Sequence, residues 1–280
     1  MKVLVTGSRG LVGSAVEAEL RAAGHSAAAY DLLDSQDILD PPTLRAATRG
    51  CDAIVHAAAA LGNAGERASQ IMEVNLQGTW NVLAAAVAAG VPRVVFLSSV
   101  DALGLFKGER TPDYLPLDDA HPCYPTTPYA ISKRLAEEMC RFASEAHGLS
   151  VICLRPPGVW SAETYGWVQA QRAKRAEFEW DPFWEYGVFI DVRDLAGACA
   201  LAVTCETSGF HCVGVASADI TTSGRTSREL AGFVHPDVEW RGGPEYDREP
   251  HRTLFETDRA QLLLGWKPRN SWRAFIDGVD

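Results

Sequence analysis

Residues 2–13 read Lys-Val-Leu-Val-Thr-Gly-Ser-Arg-Gly-Leu-Val-Gly, an apolar run that enters a glycine loop. Val3, Leu4 and Val5 are a short continuous apolar stretch, as a parallel strand buried on both faces requires. Gly7, Gly10 and Gly13 follow at three-residue spacing. Leu11, Val12, Ala15, Val16 and Leu20 then keep helical periodicity as far as Arg21, with a stop at Gly24. Three glycines alone would describe an ordinary turn. Between a strand and a helix each has its own purpose, since one makes the turn, one admits a pyrophosphate and one lets helix and strand pack closely. The free N–H groups at the helix start face the anion. The pattern therefore predicts a dinucleotide site built from Gly7, Ser8, Arg9, Gly10, Leu11, Val12 and Gly13.

The next strand, residues 26–30, ends at Asp31, about 20 residues beyond the loop. An aspartate there accepts both ribose hydroxyls and repels a 2′-phosphate, which predicts NAD; Arg9 keeps NADP as the lesser alternative. A third strand over 51–56 runs into Ala57, Ala58, Ala59 and Ala60, whose small side chains let the backbone lie against a dinucleotide. A long alanine-rich helix is expected over 69–89, a stop at 90–92 and a buried strand over 93–97. Three successive βα units imply an α/β fold, a Rossmann-type doubly wound parallel sheet. We expect an NAD-binding domain over 1–155 and a small C-terminal substrate-binding region over 156–280, some of it returning to the first domain.

The fourth strand ends at Ser98-Ser99, and ligands of such sheets sit at strand ends. An irregular, proline-rich segment over 101–126 has the character of a lid or pocket edge. It leads into a helix carrying Tyr129 and Lys133, four residues apart and so on one face. A phenol has a pKa of about 10, and a neighbouring ammonium favours its anion. The pair can exchange a hydroxyl proton while a hydride passes to or from a nicotinamide. The plain alternative is an amphipathic helix with an exposed aromatic–lysine pair.

The chain has 280 residues, 47% of them hydrophobic, which suffices for a proper core. A net charge of −10 disfavours nucleic acid and anionic membranes as partners. Seven cysteines without close pairing make neither a disulfide framework nor a metal site; Cys51, Cys153, Cys199 and Cys212 lie in apolar runs and should fill core. No metal constellation or internal repeat is present. With no leader and no membrane-length apolar stretch, a cytoplasmic location is expected.

The loop Thr6-Gly7-Ser8-Arg9-Gly10-Leu11-Val12-Gly13 resembles that of the extended short-chain dehydrogenase/reductases, the NAD-dependent epimerase/dehydratase group. The resemblance extends through Arg155-Pro156 and loosens afterwards. It implies that Asp37 and Ile38 contact adenine, that His56-Ala57-Ala58-Ala59 is the family's second cofactor motif, and that Pro156 borders the cofactor. His56 itself is expected to be structural. Asn75 falls on an asparagine that holds the site together. Counting back from Gly104 places Ser99, with Ser98 as runner-up, on the catalytic Ser/Thr position, beside the Tyr129–Lys133 pair. The glutamate that sugar dehydratases add to an aspartate is missing here, so dehydration is disfavoured.

What the resemblance implies is hydride transfer at a secondary alcohol or ketone of a sugar-like or nucleotide-sugar substrate, by an oxidoreductase or epimerase. Gly158 stands where many nucleotide-sugar enzymes carry an asparagine, which keeps a small sugar acid or natural-product intermediate as an alternative. A non-catalytic dinucleotide sensor is a further one. Aromatic residues crowd 160–186 (Trp160, Tyr165, Trp167, Phe178, Trp180, Phe183, Trp184, Tyr186), where relatives build the substrate domain; packing is expected for most. Arg155, Arg172, Arg193, Arg248 and Arg252 are candidates for an anion site among which sequence does not choose. Helices over 69–89 and 128–147 imply a homodimer by analogy.

Overall fold

The computed structural model describes residues 1–62, 67–106, 109–175, 186–222 and 224–278. Its strands are β1 (Lys2–Thr6), β2 (Ser26–Tyr30), β3 (Ala53–His56), β4 (Arg93–Leu97), β5 (Tyr114–Leu115), β6 (Ser150–Arg155), β7 (Gly158–Trp160), β8 (Phe189–Asp191), β9 (Phe210–Gly214) and β10 (Glu239–Trp240). Six form one parallel sheet in the order β2-β1-β3-β4-β6-β9. The other four make two small pairs, β5 with β10 and β7 with β8. The chain leaves β1 toward β2 on one side and comes back to β3 on the other. That reversal opens a crevice at the carboxyl ends of β1 and β3.

The helices are α1 (Leu11–Ala22), α2 (Pro41–Thr48), α3 (Ala68–Met72), α4 (Gly78–Ala89), α5 (Pro128–His147), α6 (Ala162–Lys174), α7 (Val192–Thr204), α8 (Ser227–Val234), α9 (Glu245–Arg248), α10 (Asp258–Leu264) and α11 (Trp272–Asp277). They cover both faces of the sheet. Val3 and Val5 point to one face and pack with Val16 and Leu20 of α1 and Leu195 and Cys199 of α7. Leu4 points to the other, against Val82 and Ala86 of α4 and Ala136 and Cys140 of α5. This alternation within an unbroken apolar run is what burial on both faces produces. The fold is thus Rossmann-type α/β.

One feature departs from the sequence expectation. The helix over 69–89 is not uniform: a π turn, Glu73–Gln77, joins α3 to α4. After β6 the chain returns to the sheet, with α7 against α1 and β9 paired to β6. Of the aromatic segment, Trp160 and Tyr165 pack with Phe189 and Trp272, and Tyr186 is buried in a separate cluster. Trp167 is exposed, while Phe178, Trp180, Phe183 and Trp184 lie outside the described residues.

Candidate active site

The glycine loop reaches its shape through close approach. Gly7 has φ +69°, and a Cβ on it would fall 2.7 Å from the Ala58 backbone; one on Gly13 would fall 2.0 Å from the Gly7 carbonyl oxygen. Only glycine lets α1 and the end of β3 close on the loop in this way. The result is a cavity of about 840 Å3 at the crevice. Its walls include Gly7, Arg9, Gly10, Leu11, Val12 and Gly13, then Asp31, Asp37 and Ile38, then Ala57, Ala58 and Pro156, and finally Ser99, Tyr129 and Lys133. One continuous space therefore joins the acidic strand end to the tyrosine–lysine pair. Its size and its succession of donors and acceptors suit a dinucleotide.

Asp31 caps the short 3-10 turn Leu32–Asp34, accepting from Leu33 N at 2.9 Å, and its other oxygen accepts from Arg9 N at 2.9 Å. The Arg9 guanidinium points to Asp34 instead, with Nε 2.8 Å and NH2 3.2 Å from its carboxylate oxygens. The one loop charge able to receive a 2′-phosphate is already paired. Asp34 carries no signal in the sequence because the turn that brings it to Arg9 depends on the Asp31 cap. The cavity also takes in Ala59 and Ala60 of the small-residue run after β3, together with Tyr30, Leu32, Leu33, Gln36, Pro157, Val159 and Leu195, which carry no motif signal of their own.

Three residues expected at the cofactor stand behind the wall. Ser8 is buried at the loop, His56 lies beneath it, and neither lines the cavity. Burial keeps the His56 imidazole neutral, its pKa pushed down to about 3, with the Lys133 charge adding to the effect. Asn75, in the π turn, grips the wall from outside: Oδ1 accepts from Ala60 N at 2.7 Å and Nδ2 donates to Ala60 O at 3.1 Å.

At the opposite end, α5 begins at Thr127, whose hydroxyl accepts from Ala130 N, with Pro128 in the first turn. Tyr129 and Lys133 both line the cavity from this helix. The Lys133 ammonium lies 5.7 Å from the Tyr129 ring centroid and donates to Leu97 O at 2.6 Å. Burial lowers its pKa to about 8, an effect that the Glu137 carboxylate partly opposes.

Both serines line the cavity as well, but their hydroxyls differ. Ser98 donates to Glu137 Oε1 at 2.6 Å, whereas Ser99 Oγ accepts from Asp101 N at 3.1 Å. Glu137 is buried, which alone would raise its pKa; the Arg155 guanidinium, at 2.8 Å from each carboxylate oxygen, and the Ser98 hydroxyl outweigh this and hold it low. Arg155 is thus committed to an internal ion pair. Arg193 pairs with Asp191, and Arg252 with Glu249, Glu256 and Asp258.

The NAD dependent epimerase/dehydratase family model matches residues 3–211. A UDP-glucose 4-epimerase of Halalkalibacterium halodurans is 26% identical over 315 residues, covering 96% of this chain and 91% of its own. An NAD-dependent glucose-6-phosphate dehydrogenase of Haloferax volcanii is 31% identical over 183 residues, covering 55% and 66% respectively. Among solved structures, a short-chain dehydrogenase/reductase superfamily protein from Agrobacterium tumefaciens with bound NAD superposes with a TM-score of 0.74 at 22% identity, covering 100% of this chain and 96% of that one.

Proposed function

The chain belongs to the NAD-dependent epimerase/dehydratase family, and from that premise we propose that it is an NAD-dependent epimerase acting at a secondary alcohol of a nucleotide sugar. The observation that carries this reading is the convergence of Ser99, Tyr129 and Lys133 on the cavity that the glycine loop opens.

Asp31 would accept the adenosine ribose hydroxyls, and the free N–H groups of the glycine loop would face the pyrophosphate. NAD, when bound, supplies the acceptor for the hydride and its later return. Lys133, as the ammonium, favours the Tyr129 phenolate and would hold the nicotinamide ribose. Tyr129 takes the proton of the sugar hydroxyl, and Ser99 donates a hydrogen bond to the same oxygen. When the sugar has turned over in the cavity as a ketone, Tyr129 returns the proton at the same oxygen. Net epimerisation then needs no added acid or base.

A second reading is a dehydrogenase of a smaller sugar or sugar acid, favoured by Gly158 in place of an asparagine and by the Haloferax volcanii relative. Incubation with UDP-glucose and, separately, glucose 6-phosphate distinguishes them. Formation of UDP-galactose without net cofactor reduction supports the epimerase. Net reduction with the sugar phosphate supports the dehydrogenase, and inertness toward both removes the two readings together.

The proposal includes a homodimer formed through α4 and α5, supported by Trp80, Leu135 and Phe142, exposed at 59%, 44% and 56%. It also includes a cytoplasmic location, supported by seven cysteines that form no disulfide. Among the described residues no helix is long and apolar enough to cross a membrane.

A further inference from the structure

Five buried polar residues behind the cavity wall form one connected system. Thr6 and His56 face each other across β1 and β3 in register. The Thr6 hydroxyl lies 2.7 Å from His56 Nδ1 and also accepts from Ala58 N at 3.3 Å. His56 Nε2 lies 3.1 Å from the Thr79 hydroxyl, which donates to the Asn75 carbonyl at 2.6 Å. Asn75 Nδ2 donates to Ser132 Oγ at 2.9 Å, and Ser132 donates to the Tyr129 carbonyl at 2.8 Å. Thr6, His56, Asn75, Thr79 and Ser132 are all at most 3% exposed.

The donors are fixed by elimination. A carbonyl can only accept, so the single hydroxyl hydrogen of Thr79 is spent on Asn75, and His56 Nε2 must carry a hydrogen to donate to Thr79. With the ring neutral, Nδ1 accepts from Thr6. Every link then runs with one orientation. The ends of the system are all main-chain groups of cavity-wall residues: Ala58 N, both polar groups of Ala60, and Tyr129 O. Five polar side chains are costly to bury where apolar ones would pack as well, unless each is satisfied.

We propose that His56 and Thr79 are positioning residues: through Asn75 and Ser132 they hold the cofactor-facing wall at Ala58 and Ala60 in fixed register with the first turn of α5, and so with Tyr129. Neither touches the reacting atoms. The inference rests on the assignment of Tyr129 to proton transfer, but its geometry can be tested without turnover.

Thr79→Val removes the hydroxyl at nearly constant volume, and Thr79→Ser restores it. The expected result for Thr79→Val is a kcat for UDP-glucose epimerisation lower by about tenfold or more, with NAD dissociation constants within about threefold of the parent. Thr79→Ser should stay within about threefold in both. Loss of kcat to the same extent in both variants, or no loss in Thr79→Val, overturns the proposal. Independently, 15N NMR of the unmodified protein should find His56 as the neutral Nε2–H tautomer at about pH 5, and hydrogen exchange at Ala58 and Ala60 should quicken in Thr79→Val. A protonated ring or the Nδ1–H tautomer overturns the proposal even in a protein inert to UDP-glucose, and that inertness by itself counts only against the nucleotide-sugar reading.

Discussion

The cavity has a wet end and a dry one. At the ribose end, Arg9 and Asp34 pair with side chains 53% and 36% exposed; beside Ser98 at the catalytic end, Arg155 and Glu137 pair at 6% and 1%. The nitrogen–oxygen distances are the same, 2.8 Å. Water separates their consequences. A solvated pair contributes about 0–1 kcal/mol and can be rearranged by a ligand. A buried pair is expensive to break, because the survivor is left charged in a dry interior. Selectivity can therefore be tuned at the first end, while the second fixes the frame of the proposed proton transfer.

The contrast is tested most strongly at Tyr129. Replacement by Phe removes the proposed proton carrier, and kcat is expected to fall by about 10²- to 10⁴-fold while NAD binding by calorimetry persists. Retained turnover in that variant would put the chemistry elsewhere. Next in size is Glu137→Gln, which strands Arg155 and should lower unfolding free energy in urea by about 3–5 kcal/mol; Glu137→Leu with Arg155→Met should lose much less. If the single and double changes cost the same, the pair is not acting as a dry one.

His56 gives the dry end a pH signature. Its pKa is about 3 in the folded chain against 6.5 for a free imidazole, so the unfolded chain binds the extra proton first. Stability is complete above pH 6.5 and is lost as pH falls toward about 3, at up to roughly 1.4 kcal/mol per pH unit. His56→Gln should flatten that part of the stability curve; an unchanged slope would assign the acid sensitivity to other groups. The smallest expected effect lies at the wet end. Asp34→Asn frees Arg9, and the ratio of NADP to NAD affinity should rise by about two- to threefold, with Arg9→Ala in that background undoing the gain.

The same division describes what the sequence made legible. The glycine loop, Asp31 and the Tyr129–Lys133 pair announce themselves because their chemistry depends on fixed spacing within one strand, turn or helix. Ser99 comes from the resemblance, counted back five residues from Gly104, with Ser98 as runner-up, and both line the cavity. Glu137 is less legible: its role is set by Arg155, 18 residues away and brought to it by sheet packing. Asp34 depends on how a turn folds back on the loop; Asn75 is named by the resemblance, but the π turn that aims it at Ala60 is concealed by the alanine-rich pattern around it. His56, expected to be structural, stands behind the wall as a polar residue whose partners come from β1 and α4, which no local pattern encodes. Strand β9 is hidden because residues 210–214, Phe-His-Cys-Val-Gly, show neither a long apolar run nor clean alternation.

The position of β9 at the end of the sheet also sets an order of assembly. The dinucleotide half begins with the first residues of the chain, yet its last strand and the helix that covers α1 arrive only with residues 192–214. A ribosome must therefore extrude the chain through Gly214 before the sheet has its final edge. Until then β6 presents an unpaired strand edge and α1 an uncovered apolar stripe, both invitations to association. The long sequence separation of these contacts favours slow, late consolidation. A chain truncated after Arg155 should accordingly accumulate in the insoluble fraction, even though it contains every motif by which the sequence proclaims its cofactor.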